Sequence, residues 1–130
     1  MEKNIENLNA EALIIEDEMD ICFLLTGILR TKNFHTTFVN TIKEAQHTLV
    51  TLHPAILFID NNLPDGFGVD FIYLVKKNNP ATKIVMITAD DTITVKAKAL
   101  KAGADIFIGK PFTRDIINKT VDKLIAVNMQ

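Results

Sequence analysis

Residues 55–68 read Ala-Ile-Leu-Phe-Ile-Asp-Asn-Asn-Leu-Pro-Asp-Gly-Phe-Gly, an apolar run that stops on a carboxylate, Asp60, and then turns. Ile56 to Ile59 are large and partly β-branched, with Pro54 before them and Asn, Pro and Gly after, the pattern of a strand buried on both faces. Such strands lie in the middle of α/β sheets. In open parallel sheets ligands bind beyond the carboxyl ends of the strands, which is where this pattern puts Asp60. Taken alone, Asp60 is equally compatible with an Asx turn into the following loop, so the rest of the chain decides.

At 130 residues the chain has the size of one domain with a real core. Its 48% hydrophobic and 23% charged residues are ordinary for a globular protein, and no apolar run approaches the length of a membrane span. Residues 1–11 are polar, lack the apolar segment of a secretion signal and read as an N-terminal arm. A single cysteine, Cys22, excludes an internal disulfide and agrees with a reducing compartment. A soluble, cytoplasmic domain is therefore expected. The formal charge of -2 gives no basic surface for direct nucleic-acid binding.

The remaining chain alternates strand and helix. Ala12 to Ile15 reads as β1 and ends on Glu16, Asp17 and Glu18. Ile21, Leu24, Leu25, Ile28 and Leu29 recur at helical spacing and give α1 to about Thr31. His35 to Val39 is more polar, as an edge strand tends to be, and is β2. Thr41-Ile42-Lys43-Glu44 fits a capping box that opens α2, expected to run to about Leu52. Ile56 to Ile59 is β3. Val69, Ile72 and Val75 line α3, which Pro80 stops. Lys83 to Ile87 is β4, ending on Thr88. Asp91 or Thr92 caps α4, with Ile93, Ala97 and Leu100 as its narrow apolar side and Gly103 as its stop. Ile106 to Ile108 is β5, ending on Gly109, Lys110 and Pro111. Thr113 caps α5, where Ile116, Ile117, Val121, Leu124 and Ile125 recur.

A (βα)5 alternation without repeat or linker predicts an α/β doubly wound parallel sheet. Four strands end on side chains with chemistry: Glu16 and Asp17, Asp60, Thr88, and Lys110. With β1 beside β3, Asp17 and Asp60 meet at the switch point. Carboxylates so close raise one another's pKa unless a positive charge sits among them. Mg²⁺ (or Mn²⁺) answers that need, being an oxygen-seeking cation held by one or two carboxylates together with phosphate. Lys110 adds a point charge for Asp60 or for a phosphate. His35, His47 and His53 have no ligand spacing and are expected on the surface. Cys22 is expected to be a packing residue. Lys96, Lys98 and Lys101 form a solvated side of α4.

Over residues 12–127 the chain resembles a response-regulator receiver domain. The matching pieces are Ile-Ile-Glu-Asp-Glu, Phe-Ile-Asp-Asn-Asn-Leu-Pro-Asp-Gly, Val-Met-Ile-Thr-Ala and Gly-Ala-Asp-Ile-Phe-Ile-Gly-Lys-Pro-Phe, in order on the right strand ends. The resemblance implies a flavodoxin-like sheet of order 2-1-3-4-5, which the more polar or shorter β2 and β5 suit as edges. It implies that Asp60 is the phosphoacceptor. It also implies that Asp17, Asp60, the Asn62 backbone carbonyl and Glu16, directly or through water, hold Mg²⁺. Thr88 and Lys110 would bond phosphoryl oxygens, and the Lys110-Pro111 bond would be cis.

Further implications concern signalling. The donor would be a histidine kinase or phosphotransfer domain, and the chain would catalyse its own phosphorylation and slow dephosphorylation. Asn62 and Asp90 would tune the phosphoryl lifetime. Thr88 and Phe107 would switch the α4-β5-α5 face toward an output partner or a homodimer, with no membrane and no direct nucleic acid involved. Two other readings fit less well. Haloacid-dehalogenase-like phosphatases use a second Asp two residues after the nucleophile, where this chain has Asn62. Unphosphorylated receiver-like binding modules typically lose the acidic or Lys positions that are kept here. Met19, Phe23 and Phe112 are the expected kinase-docking patch.

Overall fold

The structure, a computed structural model, describes residues 10–128, with side chains through residue 125. Most of the N-terminal arm thus lies outside the described residues. Its last two residues do not: β1 spans Ala10–Ile15 and takes in Ala10 and Glu11. Then follow α1 (Met19–Thr31), β2 (Phe34–Val39), α2 (Ile42–Thr48), β3 (Ile56–Ile59), α3 (Gly68–Asn78), β4 (Lys83–Thr88), α4 (Ile93–Ala102), β5 (Ile106–Gly109) and α5 (Arg114–Asn128). Between β3 and α3 a minor hairpin pairs Asn62–Leu63 with Gly66–Phe67.

The five main strands form one parallel sheet in the order β2-β1-β3-β4-β5, the flavodoxin-like arrangement expected. Ile14 pairs with Phe58 and Phe58 with Val85, so β3 is central. Alternation of side chains across the sheet divides the core in two. Ala12, Ile14, Ile56, Phe58, Val85 and Ile87 face α1 and α5, meeting Leu25, Leu29, Ile117 and Val121. Leu13, Ile15, Leu57, Ile59, Ile84 and Met86 face the other helices, meeting Ala45, Ile72, Val75 and Ala99. Each fully buried aliphatic side chain contributes roughly 2 kcal/mol. Because both faces of the sheet are covered, only its ends are open to solvent and chemistry.

Two elements differ from expectation. Helix α2 stops at Thr48 instead of near Leu52: Leu49 closes it, its amide donating to the Ala45 carbonyl and the Val50 amide to the His47 carbonyl, and Val50 and Thr51 turn away. Helix α4 is rotated from the predicted face. Ala99 is its buried residue, whereas Ile93 is 87% and Leu100 45% exposed, and Ala97 faces solvent. In Ile-Thr-Val-Lys-Ala-Lys-Ala-Leu-Lys-Ala the small alanines permit close approach to the neighbouring α3, and the bulkier Ile93 and Leu100 stay outside. Ile116, placed with the inner face of α5 by its spacing, is also 43% exposed.

Candidate functional site

The site is built on backbone bonds at the carboxyl ends of the strands. The Asp60 amide donates to the Ile15 carbonyl at 3.0 Å, and the Glu16 amide to the Val39 carbonyl at 3.0 Å. The Lys110 amide donates to the Thr88 carbonyl at 2.9 Å. Adjacent strand ends are thereby locked in register, and their side chains emerge at one edge. Glu16, Asp60 and Thr88 are buried there, whereas Asp17 is exposed. Glu16, Asp17 and Asp60 each bring a carboxylate oxygen within 4.8 Å of the others.

Lys110 reaches into this cluster from β5. Its Nζ lies 2.6 Å from Glu18 Oε1, 3.0 Å from Glu16 Oε1 and 3.4 Å from Asp60 Oδ2. Burial alone would lower its pKa, but the hydrogen bonds to Glu18 and Glu16 and the nearby negative charge leave it raised, so the ammonium stays charged. The Glu16 pKa also rises, which for a carboxylate favours the neutral form. Burial, reinforced by the Asp60 charge, lifts its pKa to about 7 against the opposing Glu18 amide and Lys110. Asp60 Oδ1 is buried without a hydrogen-bond partner among the described residues. A buried carboxylate oxygen left bare needs a donor or a cation. An all-oxygen set with such an oxygen in it suits a hard divalent ion, and Glu16, Asp17 and Asp60 therefore fit one.

The loop after Asp60 is held from both ends. Asn61 is 3% exposed; its Oδ1 accepts the Val69 amide at 3.0 Å and its carbonyl accepts the Gly68 amide at 2.8 Å, so it both starts α3 and closes the turn. A Cβ on Gly68 would collide with the Asp60 carbonyl oxygen, which is why this position is glycine. Farther on, Asp65 accepts the Ile42 amide at 2.9 Å and the Lys43 amide at 2.9 Å. Those amides open α2, and by bonding to them the Asp65 carboxyl is held below its ordinary range.

The expected capping box is changed accordingly. Thr41 does accept the Glu44 amide at 3.1 Å, but Glu44 reaches back to the Asn40 amide at 2.8 Å rather than to Thr41. Asn40 in turn donates to the Glu16 carbonyl at 2.9 Å, joining the β2–α2 loop to the acidic cluster.

The structure brings together Glu16, Asp17, Asp60 and Lys110. Thr88 ends the strand beside Asp60, and its hydroxyl accepts the Asp90 amide at 3.2 Å. Asn62 is exposed on the minor hairpin, and Asp90 is half-buried on the β4–α4 loop. Phe107, opposite Met86, is half-buried on the sheet face that meets α4. The Lys110-Pro111 peptide is cis. Glu18, Asn61, Asp65 and Asn40 were not singled out from sequence. Cys22, expected to be packing, is buried; its thiol donates to the Glu16 carbonyl at 3.3 Å, and burial pushes its pKa up to about 11. His35, His47 and His53 are exposed and away from the cluster.

The family model for the response regulator receiver domain matches residues 12–122. The chain belongs to that family. This receiver domain is 37% identical over 101 residues to the response regulator protein PilR of Pseudomonas aeruginosa, covering 78% of this chain and 23% of that protein. It is 30% identical over 112 residues to the regulatory protein LuxO of Vibrio cholerae, covering 86% and 25% respectively. The receiver domain thus spans about a quarter of the length of these relatives.

Among solved structures, the beryllofluoride-activated NtrC4 receiver domain dimer matches with a TM-score of 0.83 at 30% identity over 88% of this chain and 95% of that one. A CheY-like receiver domain protein of Methanospirillum hungatei matches with a TM-score of 0.84 at 26% identity, over 92% and 96%. Among the described residues of the receiver domain, no helix is long and apolar enough to cross a membrane.

Proposed function

We propose that this receiver domain accepts a phosphoryl group on Asp60 from a phosphohistidine of a histidine kinase or phosphotransfer domain, as part of two-component signalling. The observation that carries the reading is the bridging of Asp60 and Glu16 by Lys110 beside Asp17, with one Asp60 oxygen buried and unpartnered. In the step, an Asp60 carboxylate oxygen attacks phosphorus, the bond from phosphorus to the donor imidazole nitrogen breaks, and the imidazole leaves with that electron pair. Lys110 offsets charge on the transferring oxygens, and Thr88 donates its hydroxyl to one of them. Glu16, Asp17, Asp60 and the Asn62 carbonyl would hold Mg²⁺ or Mn²⁺, which when bound neutralises phosphoryl charge.

Water later attacks the same phosphorus and releases phosphate, so the domain catalyses both gain and slow loss of the group. Asn62 and Asp90 stand on the two loops that flank that approach and set the lifetime. Phosphorylation favours a second arrangement in which Thr88 and Phe107 shift and the α4-β5-α5 face changes its partner, a shift limited by the differential interaction with the two states. Exposed Ile93, Leu100 and Ile116 on α4 and α5 support that face as an output or homodimer surface. A cytoplasmic setting suits a kinase partner.

Acetyl phosphate with Mg²⁺ and intact-mass spectrometry tests the reading. The wild-type chain gains one phosphoryl group and Asp60→Asn gains none. An unmodified wild type would instead place the chain among receiver-like binding modules.

A further inference from the structure

An ammonium has three protons to donate, and Lys110 spends them on three carboxylates. They are not equivalent. The side chains of Glu16 and Asp60 are 3% and 6% exposed, whereas that of Glu18 is 59% exposed and yet makes the shortest contact, 2.6 Å. A phosphoryl group on Asp60 takes the place of the Asp60 carboxylate beside Lys110, and two carboxylates still hold the ammonium back. Glu16 cannot be left buried without a cation, but Glu18 is released into water at little cost.

Glu18 also has no local task for its side chain. It is the N-cap of α1, a position whose side chain ordinarily accepts an amide of the first turn, and it makes no such bond. Instead, its carboxylate crosses 92 positions of sequence to Lys110, while its backbone amide holds Glu16 Oε2 at 3.1 Å.

We infer that Glu18 is a positioning residue that competes with the phosphoryl group for Lys110 and so sets how available Lys110 is before phosphorylation. This rests on the phosphoacceptor reading and adds a brake to it. While Glu18 holds the ammonium at the rim, fewer molecules present a free proton to the incoming group. When the phosphoryl group arrives, Glu18 swings into solvent and the Glu16 contact stays.

Beryllofluoride, a non-transferable stand-in for the phosphoryl group, tests this in the presence of Mg²⁺, with affinity followed by the amide signals of Thr88 and Ala89. Glu18→Ala removes the carboxylate; Glu18→Asp keeps the charge but is one methylene too short to hold Lys110. Both variants are expected to bind beryllofluoride about two- to fivefold more tightly than wild type, the range spanned by loss of an exposed ion pair. In Glu18→Asp the affinity for Mg²⁺ alone stays at the wild-type value, and the Lys110 side-chain ammonium signal of the metal-free protein shifts as the contact with residue 18 is lost while those with Glu16 and Asp60 remain.

If Glu18→Asp binds beryllofluoride like wild type while Glu18→Ala binds more tightly, local charge alone is responsible and the inference is overturned. Unchanged or weaker binding by both overturns it too. Wild type that takes neither beryllofluoride nor a phosphoryl group from acetyl phosphate refutes the phosphoacceptor reading itself, and this inference falls with it.

Discussion

Lys110 Nζ stands 3.0 Å from Glu16 Oε1, the two side chains 11% and 3% exposed, so a buried carboxylate that would otherwise take up a proton is held close to ionisation by one ammonium. The balance is incomplete: Glu16 still titrates near 7 instead of 4.5. The folded chain therefore binds this proton more tightly than the unfolded chain does. The resulting stability is fully present below about pH 4.5 and is lost as pH rises through about 7, an effect on the order of 3 kcal/mol. Urea unfolding of metal-free protein between pH 5 and 7.5 should show stability falling with pH, and Glu16→Gln should flatten the slope. An unchanged slope in that variant would assign it to another group.

Gly68 allows the chain to pass against the Asp60 carbonyl, and its replacement by Ala leaves the Asp60 backbone nowhere to go. Gly68→Ala should destabilise the fold by about 2 kcal/mol or more, an overpacking effect against backbone. It should also weaken Mg²⁺ binding, since Asp60 must move. A denaturation midpoint equal to wild type would contradict this geometry.

Asn62 and Asp90 lie on the loops that follow the neighbouring strands β3 and β4, and among the described residues neither is hydrogen-bonded or ion-paired to Lys110. Asn62→Ala and Asp90→Ala should change the half-life of the phosphoryl group several-fold while the rate of acquiring it from acetyl phosphate changes less. Equal half-lives in both variants and wild type would remove them from that role.

Met19 and Phe23 are 41% and 60% exposed on the helix that follows the acidic cluster, and Phe23 is braced edge-on against Phe38 at 5.9 Å. Phe112, grouped with them from sequence, is partly buried against the core instead. Met19→Ala and Phe23→Ala should slow transfer from a phosphohistidine protein about tenfold or more, as loss of an apolar contact anchor does. Labelling by acetyl phosphate should be unaffected. Equal slowing with both donors would mean that the site itself had been disturbed.

The sequence made the sheet and much of the site legible for one reason: on a doubly wound sheet, the residue after each apolar strand is at the working edge. Asp60, Glu16 and Lys110 could be placed by counting from Ile59, Ile15 and Ile108. Side chains that reach across loops could not. Asp65 sits in a Pro-Asp-Gly turn, and nothing local says that it bonds the first amides of α2. Glu18 is only the last of three acids after β1 in the sequence, and in fact it bonds a lysine at the other end of the chain. Helix α4 misled because its apolar signal is weak: with alanines and lysines alternating, Ile93 and Leu100 looked like the inner face, yet close packing favoured Ala99.

Identifying the modified residue is the most direct measurement. After brief exposure to acetyl phosphate and Mg²⁺, hydroxylamine converts an acyl phosphate to a hydroxamate that marks its residue in tandem mass spectrometry. The hydroxamate is expected on Asp60, and omission of Mg²⁺ should abolish it. A mark on Asp17, Glu16 or another carboxylate with Asp60 untouched would contradict the account.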